Sequence, residues 1–382
     1  MITVAFSYIC RNEWRGGYNY LLNLFDALRI DHDKHVNILL FAGKDTPDDA
    51  LEPFSALNNV KVIKSCLFNR GWKSSLLLRA LLFGKDGRYE QLFKNHGVDI
   101  IFENACFFGR KTSFPVLSWI PDFQHRHLPH MFSFMQRLKR EVGYRAQIYS
   151  GRKILLSSED AKNDIDTFYS PEKGTVFVAP FAVTVPEDVL NVDPDLIRVK
   201  YGLEENFFFL PNQLYPHKNH ILVIEAVKII KDRGDDVCVA VSGRSEDAMF
   251  FKGLKEKVTD DGLENNFIFL GQIPYADLIT LMRGSRALIN ASLFEGWSTT
   301  VEEAKALGVN MLLSDLSVHK EQAHDKALFF RRDSATSLAD LLGEERQTLK
   351  SGTSAQDALV DAEKRRSIYA RKINDIFCHM SG

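Results

Sequence analysis

Residues 292–304 read Ser292-Leu293-Phe294-Glu295-Gly296-Trp297-Ser298-Thr299-Thr300-Val301-Glu302-Glu303-Ala304. The five residues before them, 287–291, are a β-rich run. Thr299 with Glu302, and Thr300 with Glu303, each match the S/T-x-x-E capping box, so the stretch reads as strand, loop, then a helix with two carboxylates in its first turn. Glu295 stands outside that helix, beside Gly296 in the loop, where capping does not explain it. One carboxylate in the loop and one in the helix can hold two ends of a polyhydroxylated ligand, while the helix's N–H groups meet its phosphates.

Similar units extend in both directions. Strands are expected at residues 3–9, 36–42, 60–64, 100–103, 116–120, 154–157 and 176–179, and then at 207–210, 237–242, 267–270, 287–291 and 311–313. Helical patterns such as 221–231 and 275–284 separate them, which is the signature of parallel sheets covered by helices on both faces. A chain of 382 residues exceeds the size at which one core stops growing, and its 45% hydrophobic content fills two. The expected fold is therefore α/β, with two Rossmann-like doubly wound domains and an interdomain cleft. The domains are placed at 1–185, completed by a C-terminal helix over 358–382, and at 186–357. The join is expected at 184–195, where Asp193-Pro194 reads as an N-cap with proline at the first helical position, starting a helix that ends before Gly202. Residues 344–357 read as a surface connection.

Composition narrows the partners. A formal charge of −2 gives no general attraction to nucleic acid, and none is expected as a partner. The five cysteines are scattered singly, which fits a reduced, cytoplasmic compartment and no metal-ligand spacing. No apolar run reaches the length of a membrane span.

Four further stretches carry chemistry. Gly16-Gly17 stand between the first strand and an apolar-periodic helix, where backbone can approach an anion. Residues 119–129 place Asp122, Gln124, His125 and His127 in a loop after a strand's carboxyl end, the edge of open α/β sheets where ligands bind. Residues 211–220 again join strand to helix, with Lys218 adding a cation to the helix's positive end. Trp72, Leu76, Leu77, Leu78, Leu81, Leu82 and Phe83, with Lys73 and Arg79, read either as an ordinary packed helix or as a membrane-facing or lipid-acceptor surface.

Glu295 and Glu303, separated by seven residues, resemble the E-x7-E signature of the family 4 retaining glycosyltransferases. Gly16-Gly17, residues 121–127, Leu156-Ser157-Ser158-Glu159, Tyr201-Gly202-Leu203, Lys218-Asn219 and Phe269-Leu270-Gly271 match in the same order. So does His319-Lys320-Glu321, where the family often has proline-glutamate. The loop at 121–127 and Lys218-Asn219 look most like the branch that builds bacterial surface polysaccharides, often with mannose.

The resemblance implies a GT-B fold and a hexosyl transfer from a nucleotide-diphosphate sugar, GDP-mannose slightly favoured over a UDP-sugar. The acceptor would be a glycan or a lipid-linked acceptor of surface polysaccharide or lipopolysaccharide synthesis, held by the first domain. The donor site implied is Gly16, Gly17, Gln213, Lys218, Arg244, Glu295, Gly296, Trp297, Ser298, Thr299 and Glu303. Glu303 would hold the ribose, Glu295 the donor sugar and Lys218 the diphosphate. Asp122, His125 and Glu295 are the catalytic candidates, with His127 the alternative to His125. Two positions depart from the family: Pro121 stands where relatives carry histidine, and Gln213 where many carry arginine, with Arg244 able to compensate. No cofactor and no metal are expected, the nucleotide-sugar being a substrate. A peripheral contact with the inner face of the cytoplasmic membrane is compatible with this reading. The rival readings are another GT-B enzyme, such as a nucleotide-sugar epimerase, and a noncatalytic subunit that binds sugar nucleotides.

Overall fold

The computed structural model describes residues 1–30, 36–104, 106–183, 185–245, 247–348 and 355–381. The chain divides into two compact units, residues 1–182 with 364–382, and residues 183–363. The division falls at Ala182 rather than Val185 because Val185 and Val189 already pack into the second unit's core. The return falls at Lys364 rather than Ala358 because Ala362 belongs to that same core. Of the expected join, Thr184 lies outside the described residues, and Asp193 accepts from the Asp195 N–H at 3.0 Å to cap helix Pro194–Lys200.

The first unit holds strands β1 (Ile2–Ser7), β2 (Val36–Ala42), β3 (Val60–Lys64), β4 (Ile100–Asn104), β5 (Val116–Trp119), β6 (Lys153–Leu156) and β7 (Val176–Val178). They form one sheet in the order β3-β2-β1-β4-β5-β6-β7, every pair parallel. A parallel sheet needs cover on both faces, and alternate side chains supply it. Ala5 packs with Leu76 and Phe93 on one face, while its neighbour Phe6 meets Phe25 of helix Arg15–Ile30 at 4.7 Å between ring centroids.

The second unit holds β8 (Phe208–Leu210), β9 (Val239–Ser242), β10 (Phe267–Gly271), β11 (Ala287–Asn290), β12 (Met311–Ser314) and β13 (Ala327–Phe330), in the order β10-β9-β8-β11-β12-β13. β13 is absent from the sequence reading, being four apolar residues bracketed by Lys326 and Arg331. The order reverses between β8 and β11, which are paired neighbours. Connections leave those two strands toward opposite faces, so their carboxyl ends open a crevice, the usual ligand position in doubly wound sheets. Helix Ala335–Thr348 covers part of the stretch expected as a surface connection, and residues 349–354 of that stretch lie outside the described residues. The last helix, Ala355–Ser381, begins earlier than expected and passes from the second unit into the first, where Arg366 donates to the Asp26 carbonyl at 3.0 Å.

Candidate functional site

The loops after β8 and β11 meet at the switch point. Leu293 N–H donates to the His217 carbonyl at 2.8 Å, fixing one loop on the other. Lys218 closes a short 3₁₀ turn, Pro216–Lys218, and Asn219 takes the left-handed region at φ 56° before helix His220–Asp232 begins. Asparagine is among the few residues that enter that region readily. The result aims Lys218 at Glu295: Nζ donates to Oε1 at 2.6 Å, with both side chains at least 85% shielded from water. Ser292 Oγ donates to the same oxygen at 2.8 Å. Burial pushes the Glu295 pKa up, but the Lys218 ammonium outweighs it and holds the carboxyl at about 2. Glu295 is thus a carboxylate across the physiological range.

A second network sets the backbone behind this pair. Gln322 donates from Nε2 to the Ser298 carbonyl at 2.7 Å and accepts from the Ser298 N–H at 3.1 Å. Its Nε2 also reaches Glu302 Oε1 at 3.0 Å, where Lys305 donates at 2.9 Å. Asn290 Nδ2 donates to Ser298 Oγ at 3.1 Å. Ser298 is the N-cap of helix Thr299–Leu307 and its hydroxyl caps no backbone N–H. The two expected capping boxes therefore do not form: Thr299 and Thr300 already lie inside the helix, which displaces Glu302 and Glu303 from the N3 position. Glu302 faces Lys305 and Gln322, and Glu303 is buried in the same turn. Gly296, Trp297 and Thr299 are half-buried around Ser298.

His319 borders the pair. Its Nδ1 meets the Ser314 carbonyl at 2.9 Å, and its Nε2 is buried with no hydrogen-bond partner. Burial lowers its pKa, so the ring is neutral near pH 7. Sequence reasoning missed the roles of Asn290, Ser292, Gln322 and His319, since each is a common core or turn residue in isolation and only the β11 and β12 loops bring them together.

Gln213 and Arg244 are also brought together, but as a structural joint: the Arg244 N–H donates to Gln213 Oε1 at 2.9 Å, and Leu214 N–H to the Arg244 carbonyl at 3.0 Å. Gly243, at φ 151°, is required here, because a Cβ would lie 2.2 Å from the Asn212 carbonyl oxygen. The Arg244 side chain is exposed.

In the first unit the expected candidates stand differently. Gly16 and Gly17 are in the first turn of helix Arg15–Ile30, not in a loop, and neither has positive φ. Gly17 is demanded by packing, since a Cβ would lie 2.5 Å from the Trp14 ring. That ring stacks on Trp119 at 5.3 Å, and Trp119 on Tyr20 at 3.7 Å. The expected loop at 124–127 is a helical turn, Gln124–His127. Asp122 accepts from the Gln124 N–H at 3.0 Å and from Arg140 at 3.1 Å, and stays partly open to water. His125 is 3% exposed, within 3.5 Å of Glu141 Oε2, and burial lowers its pKa. Its ring is enclosed, with Tyr144 5.4 Å away between ring centroids and Tyr169 Oη 3.4 Å from Nε2. His127 is bound to Asp164 at 2.8 Å. A cavity of about 740 Å³ opens at the carboxyl ends of β1, β2 and β3, lined by Tyr8, Glu13, Asp45, Arg70, Trp72 and Lys73 among others.

Asp-x-Asp spacings, which often hold metal-bound diphosphates, occur among the described residues at 164–166 and 193–195. Asp164 is engaged by His127, and Asp193 caps a helix.

Residues 195–347 match the family described as Glycosyl transferases group 1. The chain is 25% identical over 201 residues to the O-antigen chain mannosyltransferase RfbU of Salmonella typhimurium, a match spanning 53% of this chain and about half (53%) of that relative's length. Among solved structures, a glycosyltransferase from Rickettsia africae aligns over 99% of this chain and 98% of its own at TM-score 0.71 and 16% identity. Anabaena HepE in complex with UDP-glucose aligns over 99% of each chain at TM-score 0.70 and 18% identity. These likenesses establish the two-domain GT-B fold.

Proposed function

We propose that the protein, whose residues 195–347 match the group 1 glycosyl transferases and whose fold is GT-B, is a retaining glycosyltransferase of the family 4 type. It moves a hexose from a nucleotide-diphosphate sugar to a glycan or lipid-linked acceptor in surface polysaccharide or lipopolysaccharide synthesis, in the cytoplasm. The O-antigen mannosyltransferase relative supports mannose as the sugar, with GDP-mannose the donor slightly favoured; the UDP-glucose held by the Anabaena neighbour supports a UDP-sugar.

The observation that carries the proposal is the Lys218–Glu295 pair beside the start of helix Thr299–Leu307. A donor diphosphate takes Lys218 as its counter-ion and meets the helix N-terminus, whose macrodipole favours anions. Glu295, released from the ammonium, accepts hydrogen bonds from the sugar hydroxyls. Glu303 holds the ribose, and Gly296 to Thr299 supply backbone around the phosphates. The bond between the anomeric carbon and the diphosphate oxygen breaks with its electron pair passing to that oxygen. The acceptor oxygen then bonds to the same face of the carbon, and its proton leaves with the diphosphate. Lys218 and the helix dipole stabilise the leaving charge, which is where electrostatic catalysis acts most strongly. No metal is needed for this step, and Asp122 is the first unit's remaining candidate.

The test is calorimetry with UDP, GDP and their sugars, followed by transfer assays in EDTA with the product's anomeric configuration read by NMR. Binding of one nucleotide and a retained configuration are expected. Inversion, turnover without any acceptor, or activity restored only by added Mn²⁺ would each overturn the corresponding part.

A further inference from the structure

Two helices of the first unit leave large apolar side chains in water. Helix Trp72–Phe83 buries Leu76 and Ala80 and exposes Leu78, Leu81, Leu82 and Phe83, each by 59% or more. Helix Phe134–Ile148 exposes Phe134, Met135, Leu138 and Val142, whose spacing of four places Phe134, Leu138 and Val142 on one stripe. Single exposed hydrophobics need no explanation, but these eight are half of the sixteen large ones exposed among the described residues. One side of helix 72–83 is thus packed as expected, and the other is left to water.

The two helices cover the same face of the first sheet. Leu76 packs in a cluster with Ile101 and Val116, and Ile148 in a cluster with Ile154. Val116 is beside Ile101 in the register, and Ser118, two residues on, is beside Ile154. Partners across a parallel ladder share a face, and so do residues two apart on one strand.

Their charge is one-sided. Helix Trp72–Phe83 contains Lys73 and Arg79 and no acid, and helix Phe134–Ile148 contains Arg137, Lys139, Arg140 and Arg145 against Glu141 alone, although Arg79 pairs with Asp86 and Arg140 with Asp122 from outside the helices. Glu141 is neutralised by Arg126 and Arg145. Lys139 and Arg137 are exposed and make no ion pair among the described residues. The whole chain carries −2, so this basic character is local. Apolar side chains flanked by unpaired cations complement a bilayer of anionic lipid, whose interface takes the first and whose headgroups attract the second.

We propose that this face docks the protein on an anionic lipid bilayer. Trp72 and Lys73 also line the cavity at the ends of β1 to β3, so the docked bilayer meets the protein beside that cavity.

Flotation of the full chain with phosphatidylcholine vesicles, with and without phosphatidylglycerol, tests this. Binding is expected only with phosphatidylglycerol, weakening as salt rises, and falling roughly tenfold or more in Leu81→Asp/Leu82→Asp. Arg137→Glu/Lys139→Glu should lose binding too, covering the case in which the aspartates unfold the helix. Leu196→Asp, at an exposed apolar site of the second unit, should bind as the wild type does. Absence of wild-type binding, or undiminished binding by both face variants, overturns the proposal. So does a dimer in sedimentation that Leu81→Asp/Leu82→Asp dissolves while vesicles stay unbound, since a second copy would then be the occupant. Nucleotide affinity is read separately, so loss of the proposed catalytic function would not be mistaken for loss of docking.

Discussion

Lys218 Nζ lies 2.6 Å from Glu295 Oε1, although the two residues stand on loops that leave different strands and are 77 positions apart in the chain. The contact exists because β8 and β11 are neighbours at the reversal of strand order. A buried ion pair of this kind contributes little net stability, since desolvation offsets attraction. It does keep a cation and an anion charged and in place, ready for a ligand that carries phosphate and hydroxyl groups together.

Removing one partner strands the other. Lys218→Met and Glu295→Gln should each destabilise the protein by roughly 3–5 kcal/mol, whereas the double variant should lose far less than the sum. Urea unfolding of the four proteins measures the cycle. Both single variants should also lose turnover by about two to three powers of ten, with Lys218→Met weakening nucleotide binding more. Additive stabilities would show that the pair is not coupled in solution.

The strand and helix pattern of both units was legible in the sequence because parallel strands buried on both faces are written as short apolar runs. The capping boxes were misleading because local spacing does not fix which residue starts a helix; here Gln322, twenty-four residues from Ser298, sets the entry instead. Glu295 stands out in the sequence because capping does not explain it. Packing against Trp14 also demands the small size of Gly17, which the strand–glycine–helix pattern does not show, and the burial of His125 depends on Tyr144, Tyr169 and Glu141, which the local sequence around it does not contain.

Gln322→Leu keeps the volume of the side chain but removes both bonds to Ser298, leaving a buried N–H and carbonyl unsatisfied. The expected loss is roughly 1–3 kcal/mol for each group left unpaired. Donor binding should weaken as well, because Ser298 fixes the start of the helix proposed to meet the diphosphate. Denaturant unfolding and nucleotide calorimetry on the same variant separate the two effects; unchanged nucleotide affinity would detach Gln322 from the site.

Gly17→Ala offers a test by sign. Alanine in place of glycine ordinarily stabilises a helix by about 0.5–1 kcal/mol. Here the new methyl would fall 2.5 Å from the Trp14 ring, which is held by its stack on Trp119. Overpacking should reverse the sign, giving a loss of roughly 1–3 kcal/mol. In a Trp14→Leu background the same change should regain its ordinary stabilising effect, read from thermal unfolding. A gain in the wild-type background would mean that Trp14 does not cover Gly17.

His220 opens helix His220–Asp232, is 2% exposed, and has no hydrogen-bond partner on either ring nitrogen. Burial, then Lys218 and His217, lower its pKa from 6.5 to about 3. A histidine with a depressed folded pKa binds protons more readily when unfolded. Its contribution is therefore fully present above the unfolded pKa of 6.5, and is lost progressively as pH falls toward about 3. By pH 5 the neutral buried ring should have cost the folded state roughly 2 kcal/mol relative to pH 7. His220→Leu removes the titration and leaves no donor or acceptor stranded, because the ring nitrogens had no partner to lose. Its stability should thus decline less steeply between pH 7 and pH 5 than that of the wild type, by about that amount, in urea unfolding at each pH. Parallel pH profiles for the two proteins would show that His220 reaches water or a partner when folded.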